Sequence, residues 1–378
     1  MKKFFHCIFS LLFITSYAFA QDKYPIITIK NGSSIERADV LVSIPWTKIL
    51  KADPKIDTAK FLVMNKYTET EVPHQLEYKG EKEVQNLLLQ VSVKAKEHLT
   101  LIIFAAKPKA VTPKTYARYV PERKDDFAWE NDKIAFRMYG KALEKTSEDA
   151  YGIDVWVKRT SKLVINDRYK KNDYHKDHGD GLDYYSVGFT LGAGGMAPYV
   201  KDSVRYSGNY KTSKVLDNGP LRSSFQLTYD EWDAAGIKVK VTKTISIDAG
   251  SQLNRIENLY TFSAQGKNLP VAIGLSTRNE NEKKLLLDKN GILGYWEPVH
   301  GDDGITGVGA VTLNSLKSAT AQSKQALGIT EVKNNVPYVY YAGAAWNKAG
   351  KITNENEWFS YLQKYQNELK SPLKVSVK

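Results

Sequence analysis

The sequence predicts an all-β protein: a small N-terminal β-sandwich followed by a large antiparallel double-sheet sandwich, with one C-terminal helix. Three features of the chain point there. Nearly every periodic segment alternates apolar and polar residues with a period of two, as strands with one buried face do. Only one stretch, near the end, holds helical spacing. A polar, proline-bearing stretch between Phe104 and Trp129 breaks the alternation and divides the chain in two.

Residues 1–20 read as a secretory signal peptide, with Lys2 and Lys3, an apolar run from Phe4 to Ile14, and the small-x-small cleavage signal Ala18-Phe19-Ala20. The run is too short to span a membrane. No cysteine lies at the junction, so a lipid anchor is not expected. The mature chain is expected to begin at Gln21 and to work in the periplasm or beyond it. Cys7, the single cysteine, leaves with the signal. Disulfides, a thiol nucleophile and cysteine metal ligands are thereby excluded, and the core alone must hold the fold.

The first domain, 21–110, takes strands at 24–29, 86–93 and 99–104. A connection at 111–123 carries Pro113, Pro121 and the start of the charge run 122–126. The second domain, 124–378, takes strands at 134–139, 153–157, 225–229 and 237–247. The lysines and threonines of that last strand must largely share one face, which implies an antiparallel sheet with a wet side. Near the end, Trp358, Leu362, Tyr365 and Leu369 follow a 4-3-4 helical spacing. Asn354 and Glu357 are placed as a capping box, Pro372 lies beyond the helix, and 373–377 closes as a strand.

The formal net charge is +12, spread along the chain rather than clustered. No nucleic-acid motif accompanies it, and outside the cytoplasm an acidic glycan is the natural polyanion. The plain alternative is a lysine-rich surface that serves solubility. Aromatic residues suit sugars, since their faces stack on pyranose rings and the polar tips of Tyr and Trp reach hydroxyls.

Segment 173–185 is the densest group of chemistry-bearing residues. It holds His175 and His178, the carboxylates Asp173, Asp177, Asp180 and Asp183, two glycines, and the pair Tyr184 and Tyr185. Three uses are open to it: a zinc or calcium site, an acid/base site, or a solvated loop. Paired histidines beside glycines are an unusual way to build a mere turn, which favours the acid/base use. Elsewhere, Trp129 and Asp132 could rim a cleft or cap a sheet. Arg222 and Arg278 could meet a carboxylate or form structural ion pairs. Trp296, Glu297 and His300 precede the glycine-rich 301–309. His74 and His98 read as structural. Gly192 to Gly195 lacks the Lys-Ser/Thr of a phosphate loop, and no Gly-x-Ser-x-Gly element exists.

Taken together, 129–137, 151–159, 173–185 with Val187 and Gly188, 218–222 and 295–298 resemble a family of exported bacterial proteins. These are found in polysaccharide-utilisation loci and carried as a domain of unknown function. The resemblance covers most of the chain. It implies work on uronic-acid polysaccharides such as pectin and ulvan, and the family includes an ulvan oligosaccharide dehydratase. For the large domain it implies a galactose-mutarotase-like sandwich. The expected reaction is β-elimination of water from a non-reducing-end uronate, with His175 or His178 as base and Tyr184 or Tyr185 as acid. Arg222 or Arg278 would neutralise the sugar carboxylate. Trp129, Asp154, Arg278, Trp296 and His300 would line the sugar site. No cofactor is expected, with a structural divalent cation left open. The partner would be an acidic oligosaccharide, not nucleic acid, and no membrane span is expected. Three other activities stay open: chain cleavage by a lyase, hydrolysis or epimerisation through Glu130 and Asp154, and glycan binding without catalysis through Trp129 or Trp296.

Overall fold

The computed structural model describes residues 24–263, 268–322 and 324–378; the expected signal peptide and the start at Gln21 lie outside the described residues. All sheets are antiparallel. In the first unit, Ile26–Lys30, His98–Ala105 and Phe61–Asn65 face a second sheet of Arg37–Pro45, Asn86–Val93 and His74–Glu77. Alternation puts Ile27, Ile29, Val63, Leu87, Leu89, Leu101 and Ile103 into one shared core. The closing strand Lys374–Val377 joins this first unit, pairing Ile27 with Val377. The last described strand therefore pairs with the first.

The stretch expected as a connection, 111–123, contains a strand: Thr115–Val120 pairs with Asp126–Asn131, and Ala117 lies opposite Trp129. That hairpin continues through Ile134–Met138 to Asp154–Val157. A further four-stranded sheet runs Ala193–Pro198, Asn268–Ser276, Gln325–Lys333, Ser318–Ala321. The largest sheet runs from Thr212–Asn218 through Lys238–Asp248 and Tyr338–Trp346 to Lys284–Asp288. One continuous apolar core joins these sheets. The expected mostly-β architecture is observed.

In Lys238–Asp248 the valines and isoleucines face inward and Lys238, Lys240 and Thr242 face water. Lys243 departs from that expectation. Parity places it on the inner face, where its ammonium sits 4.6 Å from the ring centre of Tyr229, and burial lowers its pKa to about 7.

The late helix spans Glu355–Lys370, and Asn354 caps it by accepting from the Glu357 N–H. The Glu357 carboxylate reaches back to the N–H of Thr353, not of Asn354. Trp358 and Leu362 are buried against the outer face of the largest sheet. Two further helices, Trp46–Ala52 and Ile165–Lys171, were not expected. Each has only seven residues, too few for a helical period to show.

Candidate active site

Segment 173–185 has no regular secondary structure and lies across the strand Asp154–Val157. Leu182 and Val157 exchange backbone hydrogen bonds of 2.9 and 3.1 Å. Gly181, at φ +109°, presses so close that a Cβ would stand 2.1 Å from the Val157 carbonyl oxygen. Asp177 closes the turn by accepting from the N–H groups of Gly179 and Gly181, and it pairs with Arg159. Tyr174 stacks on Trp156 with centroids 4.8 Å apart. The glycines and Asp177 thus serve the shape of the loop.

Asp183 anchors it from below. Its carboxylate accepts from Arg137 Nη2 at 3.0 Å, while Asp154 takes 2.9 and 2.6 Å contacts from the same guanidinium and Asp126 lies 3.5 Å away. Burial, reinforced by Asp154, pushes Asp183 up; burial raises Asp126 to about 6 against the pull of Arg137.

His175 and His178 stand on the outer surface, with side chains 69% and 54% exposed. His175 Nδ1 lies 2.9 Å from the Asp183 carbonyl oxygen, which can only accept. Nδ1 therefore carries the hydrogen and Nε2 is open. His178 spends Nε2 on Asp173 at 3.1 Å. These contacts tie both rings to their own segment.

The two tyrosines lead elsewhere. The Tyr184 hydroxyl bonds Thr306 Oγ1 at 2.6 Å, and its ring packs on His300 with centroids 5.3 Å apart. His300 Nδ1 lies 3.2 Å from the Asp303 carboxylate, so Nδ1 carries the hydrogen and Nε2 is the open nitrogen. Trp346 holds this turn by donating Nε1–H to the Asp303 carbonyl. Burial raises the Tyr184 phenol, keeping it protonated.

Tyr185 is buried beneath Arg278, whose guanidinium carbon lies 5.2 Å from the ring centre. Arg278 donates Nη1–H to the Ser186 carbonyl at 2.7 Å and brings Nη2 within 2.6 Å of Glu297 Oε1. That second contact is close but not aligned as a hydrogen bond, so Oε1 counts as an ion-pair partner without an N–H pointed at it. Burial pushes the Glu297 carboxyl up to about 7 despite Arg278. Tyr295 donates its hydroxyl to Glu280 at 2.6 Å and accepts the Arg278 backbone N–H. Three buried polar atoms here lack a hydrogen-bond partner: the Tyr185 hydroxyl, Glu297 Oε1 and Glu280 Oε2.

Several expected site residues lie elsewhere. Arg222 is held by Asp248 at 2.6 and 2.8 Å and by Glu77 at 3.0 Å, an ion-pair group joining the first unit to the largest sheet. Trp129 is a core residue, its indole donating to Asn254 and packing on Phe136 and Phe225. Trp296 is buried under the late helix, its ring filling the space that a side chain at Gly307 would need. Asp154 is wholly buried on Arg137. Neither tryptophan has a free face for a sugar. Glu130 is equally buried, saturated by Lys158 and the N–H groups of Val164 and Ile165. A hydrolytic pair of Glu130 and Asp154 therefore has no access to substrate.

Tyr184, Tyr185, Arg278 and His300 do come together, and Glu297, Asp303, Thr306 and Glu280 complete the group. Strand parity carried a signal for Glu297: Trp296 faces the helix, so its neighbours Tyr295 and Glu297 face the opposite side. Thr306 carried none. Among the described residues no three His, Asp or Glu side chains gather as a metal site. Cavities of about 540 and 760 Å³ lie where the first unit meets the largest sheet, and none of these site residues lines them.

The fold is that of a multi-sheet β-sandwich with a loop-built polar group at one end. Residues 29–375 match the family described as Domain of unknown function (DUF4861), and the chain belongs to that family. It is 30% identical over 389 aligned positions to a protein from Formosa agariphila named Uncharacterized protein P7, covering 96% of each. Among solved structures, a protein in the Glycosyl Hydrolase Family 38 from Enterococcus faecalis superposes with a TM-score of 0.52 at 11% identity. That match covers 95% of this chain and 48% of the other, so the chain spans about half the length of that neighbour. An alpha-mannosidase from Enterococcus faecalis V583 superposes with a TM-score of 0.44 at 10% identity, over 94% of this chain and 46% of that one. The first of these likenesses bears on fold alone.

Proposed function

We propose that this protein is a carbon–oxygen lyase that removes water from the non-reducing-end uronate of ulvan-type oligosaccharides. The observation that carries the reading is the meeting of the accessible Arg278 guanidinium with the Tyr184–His300 pair, whose imidazole is held by Asp303. Arg278 would meet the uronate carboxylate, most fully at pH values where Glu297 is protonated and does not compete for it.

Removal of the C5 proton leaves electrons that form the C4–C5 double bond as the C4–oxygen bond breaks. His300 Nε2 takes the proton, with Asp303 stabilising the imidazolium. The Tyr184 hydroxyl protonates the leaving hydroxyl, giving water, and the base role passes from His175 and His178 to His300 because only His300 adjoins the acid. Proton return from His300 to Tyr184 resets the site. Arg278 stabilises the charge that builds on the carboxylate.

Each proton transfer typically contributes about 10²–10⁴ in rate. His300→Ala and Tyr184→Phe are each expected to lower formation of the ultraviolet-absorbing unsaturated product by that order. Undiminished rates in both variants would overturn the assignment.

A further inference from the structure

Apolar side chains stand exposed beside the candidate site. Among the described residues the three most exposed large hydrophobic side chains are Tyr67 at 75%, Val299 at 68% and Phe189 at 57%. Two of the three flank the site: Val299 precedes His300, and Phe189 follows Ser186, whose carbonyl holds Arg278. A lone exposed hydrophobe needs no explanation. Phe189, however, is presented by a built turn.

Thr190 Oγ1 donates to the Val187 carbonyl at 2.7 Å and accepts the Gly192 N–H at 3.0 Å. The Leu191 N–H is held by the Gln325 side chain at 2.8 Å. The Phe189 ring stands edge-on to Tyr206 at 5.5 Å, and Tyr206 stands edge-on to Tyr151 at 4.9 Å. Gln325 also donates to the Tyr206 hydroxyl. In the sheet register Gln325 lies opposite Ser276, two residues before Arg278. The braced aromatic ledge and the carboxylate-binding arginine therefore stand at the same end of the strand Asn268–Ser276.

We propose that Phe189 is a stacking platform for the sugar residues beyond the reacting uronate, so that this protein selects for oligosaccharide over free uronic acid. The inference rests on the uronate reading above. The C–H face of a pyranose is apolar, and a braced ring takes it up at small entropic cost. Arg278 would answer the charge of the first sugar and Phe189 the length of the chain behind it.

The test is calorimetric titration of the full chain carrying Tyr184→Phe, which slows consumption of the sugar, with ulvan-derived tetrasaccharide and with free glucuronate. Adding Phe189→Ala is expected to weaken tetrasaccharide binding about tenfold while leaving glucuronate within about twofold, and Phe189→Tyr is expected to keep both. Equal tetrasaccharide affinity with and without the Phe189 ring would overturn the platform. Absence of tetrasaccharide binding to the parent protein would instead overturn the uronate reading, and the platform with it.

Discussion

Burial lifts the Glu297 carboxyl to about 7 against the pull of Arg278, and a pH response of the proposed site follows from it. Below about 7 the carboxyl is protonated and Arg278 keeps its charge for a substrate carboxylate. As pH rises through that value Glu297 ionises and competes for the same arginine. Substrate KM should therefore rise with pH across the range about 6 to 8, and Glu297→Gln should flatten that rise. A steady-state pH profile of both proteins checks this, and parallel profiles would contradict it. Tyr184, Tyr185, Arg278 and His300 were legible in the sequence as polar residues at loops and strand ends. Arg222, Trp129 and Trp296 were misassigned for a common reason: local sequence shows that a residue is large or charged, but not which distant strand covers it. Asp248 and Glu77 claim Arg222 from two different sheets.

At the scale of elements, segment 173–185 keeps its shape because Gly181 alone fits over Val157. Gly181→Ala adds a Cβ at 2.1 Å from a carbonyl oxygen in a backbone conformation that alanine disfavours. We expect a loss of at least about 2 kcal/mol of stability, measured by denaturant unfolding. Asn354→Ala removes the cap of the late helix and should cost about 1 kcal/mol in the same measurement. That helix was legible because sixteen residues show both its period and its cap. The two short helices show neither. In segment 173–185, composition suggested chemistry where much of the polarity serves anchoring, since Asp177 and Asp183 are spent on backbone and on Arg137.

For the whole molecule, the ion pairs of Arg222 join the first unit to the largest sheet, and the strand Lys374–Val377 ties the chain end to the first unit. Glu77 is buried while Arg222 and Asp248 are partly exposed, so Arg222→Ala, which leaves Glu77 without its hydrogen-bonded cation, should cost about 1–3 kcal/mol without changing KM in the folded protein. A raised KM with unchanged stability would restore Arg222 to the site. Alternation made the sheets legible strand by strand, but pairing between strands hundreds of residues apart leaves no local trace. The closing strand was accordingly foreseen, and its partner was not. The central claim, elimination of water from a terminal uronate, is tested most directly by mass spectrometry of a defined ulvan oligosaccharide after incubation with the protein. An uncut chain lighter by one water is the predicted result; two fragments, with or without added water, or an unchanged chain, would contradict it.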